Sequence, residues 1–243
     1  VAIMYKENKF SIHTTHCDFK SYLRPCAALD FFQDMASSHA ELIGVGYDNI
    51  MSKGYFWVVL YEQMEVVSRL PLVHEDIIVK TWPKARYKLE FEREYEMCDL
   101  DGNVLVKGVS NWVLLDAKTR MISKATDVEF DGEYFDKANY LEKQKRKLNL
   151  NLDNYDVEYK HKVSLSDLDC NMHMNNAKYA DIIFNMQKPE GYKLWKKLEI
   201  AFIKEARLNE EITVRHQIID GNDCYKGYIN NDPCFEAILY LED

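Results

Sequence analysis

Apolar positions recur along this chain with two different periods, and the change of period marks out its elements. After Arg24-Pro25, the residues Ala28, Phe31, Phe32, Met35, Ala36, Ala40 and Ile43 fall at three- and four-residue steps on one face of a helix. Pro25 suits its first turn, and Gly44 and Gly46 suit its end. Strands are predicted at 10–17 before this helix and at 55–60, 63–67, 76–82, 88–97 and 104–115 after it. The alternation is cleanest in 88–97, where Leu89, Phe91, Tyr95 and Met97 share one face while Lys88, Glu90, Glu92, Glu94 and Glu96 share the other. Arg93 falls on the apolar face, where it is expected to find a carboxylate or to line an interface. Asp99-Leu100-Asp101-Gly102 supplies a turn.

From residue 116 charges and aromatics interleave, and Lys143, Lys145, Arg146 and Lys147 form a basic cluster. This reads as a linker with a short helix near 139–147, and the cluster by itself is a solvated helix face. The halves are bounded as 1–122 and 155–243, with 123–154 between them. The second half repeats the first. A strand at 157–163 leads to a helix in which Ala177, Ala180, Ile183 and Phe184 form one apolar row and Tyr179, Ile182 and Met186 a second, so this helix should also be buried. Strands follow at 198–203, 212–218, 224–229 and 235–241. Glu75-Asp76-Ile77-Ile78-Val79-Lys80 matches Glu210-Glu211-Ile212-Thr213-Val214-Arg215, and this register sets Glu205 opposite Leu70. The pattern is α+β: a helix followed by antiparallel strands, twice.

The two halves differ in polar equipment at the start of their helices. The stretch 166–179 places Asp169, Asn171 and His173 at alternate positions, and an extended chain would point all three the same way. A carboxylate, an amide and an imidazole on one side could polarise a carbonyl. The plainer alternative is that an Asx-rich segment caps the helix, with Asn175 or Asn176 as N-cap. The first half has no Asn-x-His in 18–26, so the duplicated scaffold carries the set in one copy.

Composition narrows the function classes. With 47% hydrophobic and 13% aromatic residues the 243-residue chain is folded, with room for sizeable cores. It lacks the run of about 20 apolar residues that a membrane helix needs, and 1–10 carry charges with no apolar signal core. A cytoplasmic location without membrane attachment is expected. The six cysteines, Cys17, Cys26, Cys98, Cys170, Cys224 and Cys234, include no Cys-x-x-Cys pair and are expected as thiols. His13 and His16 are not completed by further ligands, so no metal and no cofactor are predicted. A formal charge of −9 argues against nucleic acid as partner.

Taken together, these stretches resemble the acyl-carrier-protein thioesterases of fatty-acid synthesis in bacteria and plants. The first half carries Gly46-Tyr47-Asp48, Gly54 with Trp57-Val58-Val59-Leu60, Thr81-Trp82-Pro83, Asp101-Gly102 and Ser110-Asn111-Trp112-Val113-Leu114. The second carries Asp167-Leu168-Asp169 with Asn171, His173, Asn175, Asn176 and Tyr179, then Lys204-Glu205. The resemblance implies a tandem (double) hotdog fold, in which two long buried helices are each wrapped by an antiparallel sheet. It also implies hydrolysis of fatty acyl-acyl carrier protein to free fatty acid, with Asp169, Asn171, His173 and Glu205 as catalytic residues. A carboxylate, Glu205 or Asp169, would act as base or nucleophile, and an N–H at the second helix's N-terminus would take the oxyanion. Some members have cysteine after the glutamate, but here that residue is Ala206, and Cys170 alternates away from the set, so a cysteine mechanism is not expected. Tyr61 stands where relatives often have arginine.

The acyl chain is expected in the first half, near Phe31, Phe32, Met35 and Trp57. The acidic carrier protein would dock on Lys193, Lys196 and Lys197 or on the cluster at 143–147. A homodimer is expected from the resemblance, and a bacterial source from the lack of a transit peptide. The alternatives within this scaffold are an acyl-coenzyme A thioesterase, a dehydratase or hydratase, and a non-catalytic acyl-binding sensor.

Overall fold

A computed structural model describes residues 3–124, 126, 128, 130, 132–140 and 147–242. The chain divides into two compact units, 1–24 with 30–144 and 25–29 with 145–243. In the first unit the elements are β1 (Ile3–Met4), β2 (Lys6–Ser11), α1 (Pro25–Leu42, of which 25–29 count with the second unit), α2 (Tyr47–Ser52), β3 (Tyr55–Val66), β4 (Asp76–Pro83), β5 (Phe91–Cys98), β6 (Val104–Asp116) and β7 (Glu133–Tyr134). In the second they are β8 (Val157–Lys162), α3 (Asn176–Asn185), β9 (Trp195–Phe202), β10 (Glu211–Ile219), β11 (Asn222–Ile229) and β12 (Asp232–Leu241). The first unit pairs its strands antiparallel in the order β2-β4-β5-β6-β3, and the second in the order β8-β10-β11-β12-β9. Numbered within each unit, both orders are first, third, fourth, fifth, second. The duplication read from the sequence is thus a duplication of topology.

Several boundaries differ from those the pattern predicts. The first strand stops at Ser11, because Thr14–His16 is a 3-10 turn in which the backbone N–H of His13 donates to Nδ1 of His16. Segments 55–60 and 63–67 are one strand, β3, with a bulge between Val59 and Tyr61 that shifts the side-chain alternation. Strand β5 begins at Phe91, since Tyr87 and Glu90 close a tight turn in which Lys88 has φ 55°. Neither Asn139 nor Tyr140 is helical, and most of the short helix expected at 139–147 lies outside the described residues. The two helices are unequal: α1 has 18 residues and α3 only 10. Helix α3 ends at Asn185 with Met186 as its C-cap, and it could not run past Lys188, which precedes Pro189 and is extended at φ −100°, ψ 140°.

In the first unit α1 lies on the sheet where a strand gives way to it. Gly108 of β6 has no side chain, and the ring of Phe32 occupies the space a Cβ would need, stacked on Tyr95 at 4.6 Å. In the second unit the space over Gly227 of β11 is filled from the sheet itself, by its cross-strand neighbour Phe235 of β12, which meets Tyr179 of α3 edge-on at 5.1 Å. Phe31, Phe32 and Met35 are all buried.

The sheet face beneath α1 is not wholly apolar. Arg93 is buried and donates to Nδ1 of His39 (2.9 Å) and to Oγ1 of Thr81 (3.2 Å), so its described partners are neutral rather than the expected carboxylate. Burial, followed by the charges of Arg93 and Lys6, pushes His39 down to about 4, which keeps its ring neutral and able to accept. On the same face Tyr95 and Trp112 share the hydroxyl of Ser110. Glu62, the cross-strand partner of Ser110, is buried, and burial with the nearby Asp30 raises its pKa from 4.5 to about 8.

The opposite faces carry carboxylates that hold main chain. Glu94 accepts from the N–H groups of Asn139 (2.6 Å) and Tyr140 (3.1 Å), and the Lys84 ammonium lies 3.5 Å away. In the second unit Glu236 accepts from the N–H groups of Leu148, Asn149 and Leu150 at 2.9–3.2 Å and pairs with Lys226 at 2.8 Å. Charge-assisted bonds of this kind are about twice as strong as neutral ones. Among the described residues no helix is long and apolar enough to cross a membrane.

The Glu62 carboxyl keeps its proton in the folded chain up to about pH 8 but loses it near pH 4.5 when unfolded. Its linkage therefore lowers stability as pH rises through that window, by about 1.4 kcal/mol per pH unit. Glu62→Gln removes the slope. Denaturant unfolding at pH 5 and pH 8 should show the variant gaining on the wild type as pH rises, and an unchanged difference would contradict the assignment.

Candidate active site

The polar stretch before α3 is a tight turn, and this alters how its residues are presented. The backbone N–H of Asp169 donates to the carbonyl of His173 (2.8 Å), that of Met172 to the carbonyl of Asp169 (3.1 Å), and Met172 has φ 63°. Asp169, Asn171 and His173 are therefore not aligned on one side of an extended strand, as their spacing alone suggests. Oδ1 of Asp169 is turned inward and accepts from the N–H groups of Asn171 (2.8 Å) and His173 (3.1 Å). The Asn171 side chain is exposed at the tip, as is Cys170, while His173 is half-buried.

A second segment brings Glu205 to His173. After β9 the chain returns through 203–210, where the Met174 N–H donates to the carbonyl of Ala206 (2.9 Å) and His173 bridges to Arg207. The loop is fixed from below by Glu210, which accepts from the N–H of Arg207 (2.8 Å), and by Asn209, whose N–H reaches Val163. Ala206 is fully buried, and its backbone hydrogen-bonds the hydroxyl of Tyr179 on α3. Burial, above all, raises the Tyr179 pKa and keeps the phenol neutral. In this frame Nε2 of His173 lies 3.2 Å from Oε2 of Glu205. The imidazole and the Glu205 carboxylate expected from the sequence meet, whereas Oδ1 of Asp169 is engaged by the turn's own backbone.

Helix α3 begins beside this pair. Asn175 is its N-cap, as the sequence suggests, with Oδ1 accepting from the N–H of Ala177 (3.0 Å). The Asn175 N–H reaches the carbonyl of Asp167 and the Lys178 N–H that of Asn175. The remaining first-turn donor is the N–H of Asn176, which none of the described residues accepts. An unpaired N–H at a helix N-terminus is a ready site for developing negative charge.

The first unit builds the same turn without the chemistry. There the N–H of Asp18 reaches the carbonyl of Tyr22 (2.8 Å), Ser21 has φ 70°, and Oδ1 of Asp18 accepts from the N–H groups of Lys20 (2.8 Å) and Tyr22 (2.9 Å). Tyr22 bridges to Leu72 as His173 does to Arg207. Asp169 thus corresponds to Asp18, Asn171 to Lys20 and His173 to Tyr22, while Glu205 corresponds to Leu70. At the first helical position Asn176 corresponds to Pro25, which has no N–H. The matched turns were not evident in the sequence; the shared Asp four residues before His173 and Tyr22 is their only trace.

Asp167, which the sequence motif includes, is structural. Its Oδ2 accepts from the N–H and hydroxyl of Ser164 (2.8 and 2.9 Å) and from Nε2 of His161 (3.0 Å). Burial works to raise its pKa, but these bonds outweigh burial and hold the carboxyl below its usual value. The cysteines are all free, and among the described residues no cluster of His, Cys, Asp and Glu could hold a metal ion.

The fold is of the hotdog type found in solved thioesterases. An acyl-ACP thioesterase from Bacteroides thetaiotaomicron superposes with a TM-score of 0.88 at 20% identity over 98% of both chains. The 12:0-ACP thioesterase from Umbellularia californica does so at 0.83 and 18% identity, over 98% of this chain and 97% of that one. The chain belongs to the acyl-ACP thioesterase family: residues 4–132 match the model of its N-terminal domain and residues 151–231 that of its C-terminal domain. It is 30% identical over 175 residues to the chloroplastic acyl-[acyl-carrier-protein] hydrolase FATB2 of Cuphea viscosissima, a match that covers 67% of this chain and 42% of that protein. It is 31% identical over 193 residues to the chloroplastic palmitoyl-acyl carrier protein thioesterase of Arabidopsis thaliana, covering 74% and 46%. The matches thus span less than half the length of these plant relatives.

Asp167→Ala leaves the Ser164 donors and His161 without their acceptor. It should cost about 1–3 kcal/mol at neutral pH, read by denaturant unfolding. Because the carboxyl's pKa is lowered by folding, its contribution is present above the ordinary range near 3.8 and is lost as pH falls through the folded value. The gap between variant and wild type should therefore narrow on acidification.

Proposed function

We propose that the chain hydrolyses the thioester of fatty acyl-acyl carrier protein, releasing free fatty acid, at a site built from Asp169, Asn171, His173 and Glu205. The observation that carries this reading is the His173–Glu205 pair at 3.2 Å beside the N-terminus of α3. Of the two carboxylates, Glu205 is the one that reaches the imidazole, so Glu205 is the general base. It takes a proton from water as the water oxygen attacks the thioester carbon, and His173 holds the carboxylate in place. The carbonyl oxygen gains negative charge and is met by the N–H of Asn176. The carbon–sulfur bond then breaks, the acyl group leaves as the acid, and the thiolate takes up the proton. Asn171, exposed at the turn, faces the incoming pantetheine arm. Ala206 offers no nucleophile, in keeping with attack by water.

The first unit supplies apolar side chains suited to an acyl chain, with Phe31, Phe32, Met35 and Trp57 as the candidates. The acidic carrier docks on basic side chains of the second unit. Lys193 and Lys196 are exposed, and Lys197 pairs with Glu199 at 2.6 Å. Of the other candidate cluster, Lys143, Lys145 and Arg146 lie outside the described residues.

Thiol release is to be measured on a panel of acyl-carrier-protein and acyl-coenzyme A thioesters. Turnover favouring the carrier protein, with Glu205→Gln and His173→Ala reduced by about 10²–10⁴-fold, is expected. Preference for coenzyme A would reassign the carrier, and full turnover by both variants would reject the site. Asn176→Pro tests the oxyanion donor separately. Proline already stands at the equivalent position of α1, and Asn175 at φ −57°, ψ 136° tolerates a following proline. The variant should fold normally and lose about 10²–10³-fold in kcat, the range for removing one such donor.

A further inference from the structure

A chain of methylenes asks for an apolar wall, yet the sheet face beneath α1 carries the carboxyl of Glu62. We infer that Glu62 selects the acyl chain by a hydroxyl on it, so that the first unit takes hydroxylated chains in preference to saturated ones of the same length. The inference rests on the reading given above, with the first unit taking the chain, and deepens it by naming the substrate class.

Strand register places Glu62 on that face. Gly108, whose open side is covered by the ring of Phe32 of α1, pairs with Met64 on one flank and Tyr95 on the other. Two residues along each strand, Glu62 pairs with Ser110 and Ser110 with Arg93. Residues directly opposite one another, and residues two apart, share a face, so Glu62 points the same way as the open side of Gly108. It is only 7% exposed, and none of the described residues gives its Oε2 a hydrogen bond.

The polar groups of this face are committed to one another. Oγ of Ser110 accepts from Nε1 of Trp112 (2.6 Å) and shares a bond with the Tyr95 hydroxyl (2.8 Å), while Arg93 donates to His39 and Thr81. Burial, with the charge of Asp30 on α1, raises the Glu62 pKa to about 8, so at neutral pH the carboxyl carries one O–H to give and one oxygen to accept. An alcohol offers the converse pair. A ketone can only accept, a methylene does neither, and an anionic substituent would meet the charge of Asp30. A buried polar atom without a partner is a standing cost, and a hydroxyl on the chain removes it in the complex. Phe31, Phe32 and Met35, all buried, suit the methylenes on either side.

The test uses acyl chains of one length, saturated or bearing a single hydroxyl moved along the chain position by position, with the oxo counterpart at the best position. The free fatty acids are titrated calorimetrically, and the matching acyl-carrier-protein thioesters are assayed by thiol release. Wild type should favour one hydroxyl position over the saturated chain by about tenfold in Kd and in kcat/KM, the scale of one well-made hydrogen bond in place of an unpaired group, with the oxo chain between them. Glu62→Met is close in shape but has no oxygen; it should lose the preference while unfolding no earlier than wild type. Glu62→Gln, which keeps a donor and an acceptor, should retain it.

A wild type that favours the saturated chain, or is indifferent to the hydroxyl at every position, overturns the inference. So does a Glu62→Met variant that keeps the preference. No thiol release from any thioester, with binding of the free hydroxy acid still dependent on Glu62, rejects the thioesterase reading and leaves this selection standing.

Discussion

The turn that converts strand into helix is the constraint on which both units depend. In each, one aspartate oxygen takes the N–H groups two and four residues ahead, and a residue at positive φ closes the ring. The carboxylate gives these backbone donors a fixed acceptor and so holds the turn in one shape as the chain passes from strand to helix. Everything placed on the turn inherits its rigidity. In the second unit that includes an imidazole and, one residue past the helix cap, an N–H without a described acceptor. The site is a small addition to a scaffold element that the fold requires twice.

The duplicated architecture was legible because hydrophobic period reports burial directly. The apolar rows of α1, the alternation through 91–97 and the paired Glu-Asp-Ile and Glu-Glu-Ile segments survived into the structure with changes of a few residues. The parts that failed were those in which one residue breaks a pattern. A bulge at Val59/Tyr61 lies within one strand where two were predicted, and Pro189 bars the second helix, 10 residues long, from running past Lys188. The residues of the candidate site were all named from the sequence, but their arrangement was not. Alternate spacing suggested an extended chain with three aligned side chains, whereas the φ of Met172 and the Asp169 ring make a turn in which His173 meets Glu205 and Asn171 faces outward. Positive φ at a non-glycine residue leaves little trace in sequence, and this is where the reading stopped.

Arg93 shows a different limit. An arginine on an apolar strand face suggests a buried ion pair, yet its described partners are a neutral histidine and a threonine. The same face holds Glu62, which burial keeps protonated near neutrality, so the sheet beneath α1 carries more uncharged polarity than its sequence implies. Charge state is a property of surroundings, and the alternation of residue types does not report it.

Glu94 and Glu236 recognise main chain rather than side chains. Between them they take the N–H groups of Asn139, Tyr140, Leu148, Asn149 and Leu150, and none of those bonds depends on which residue carries the N–H. These bonds therefore constrain the backbone at the five positions and leave the carboxylates indifferent to the side chains there. At each of these five positions the carboxylate excludes proline, the one amino acid that brings it no N–H.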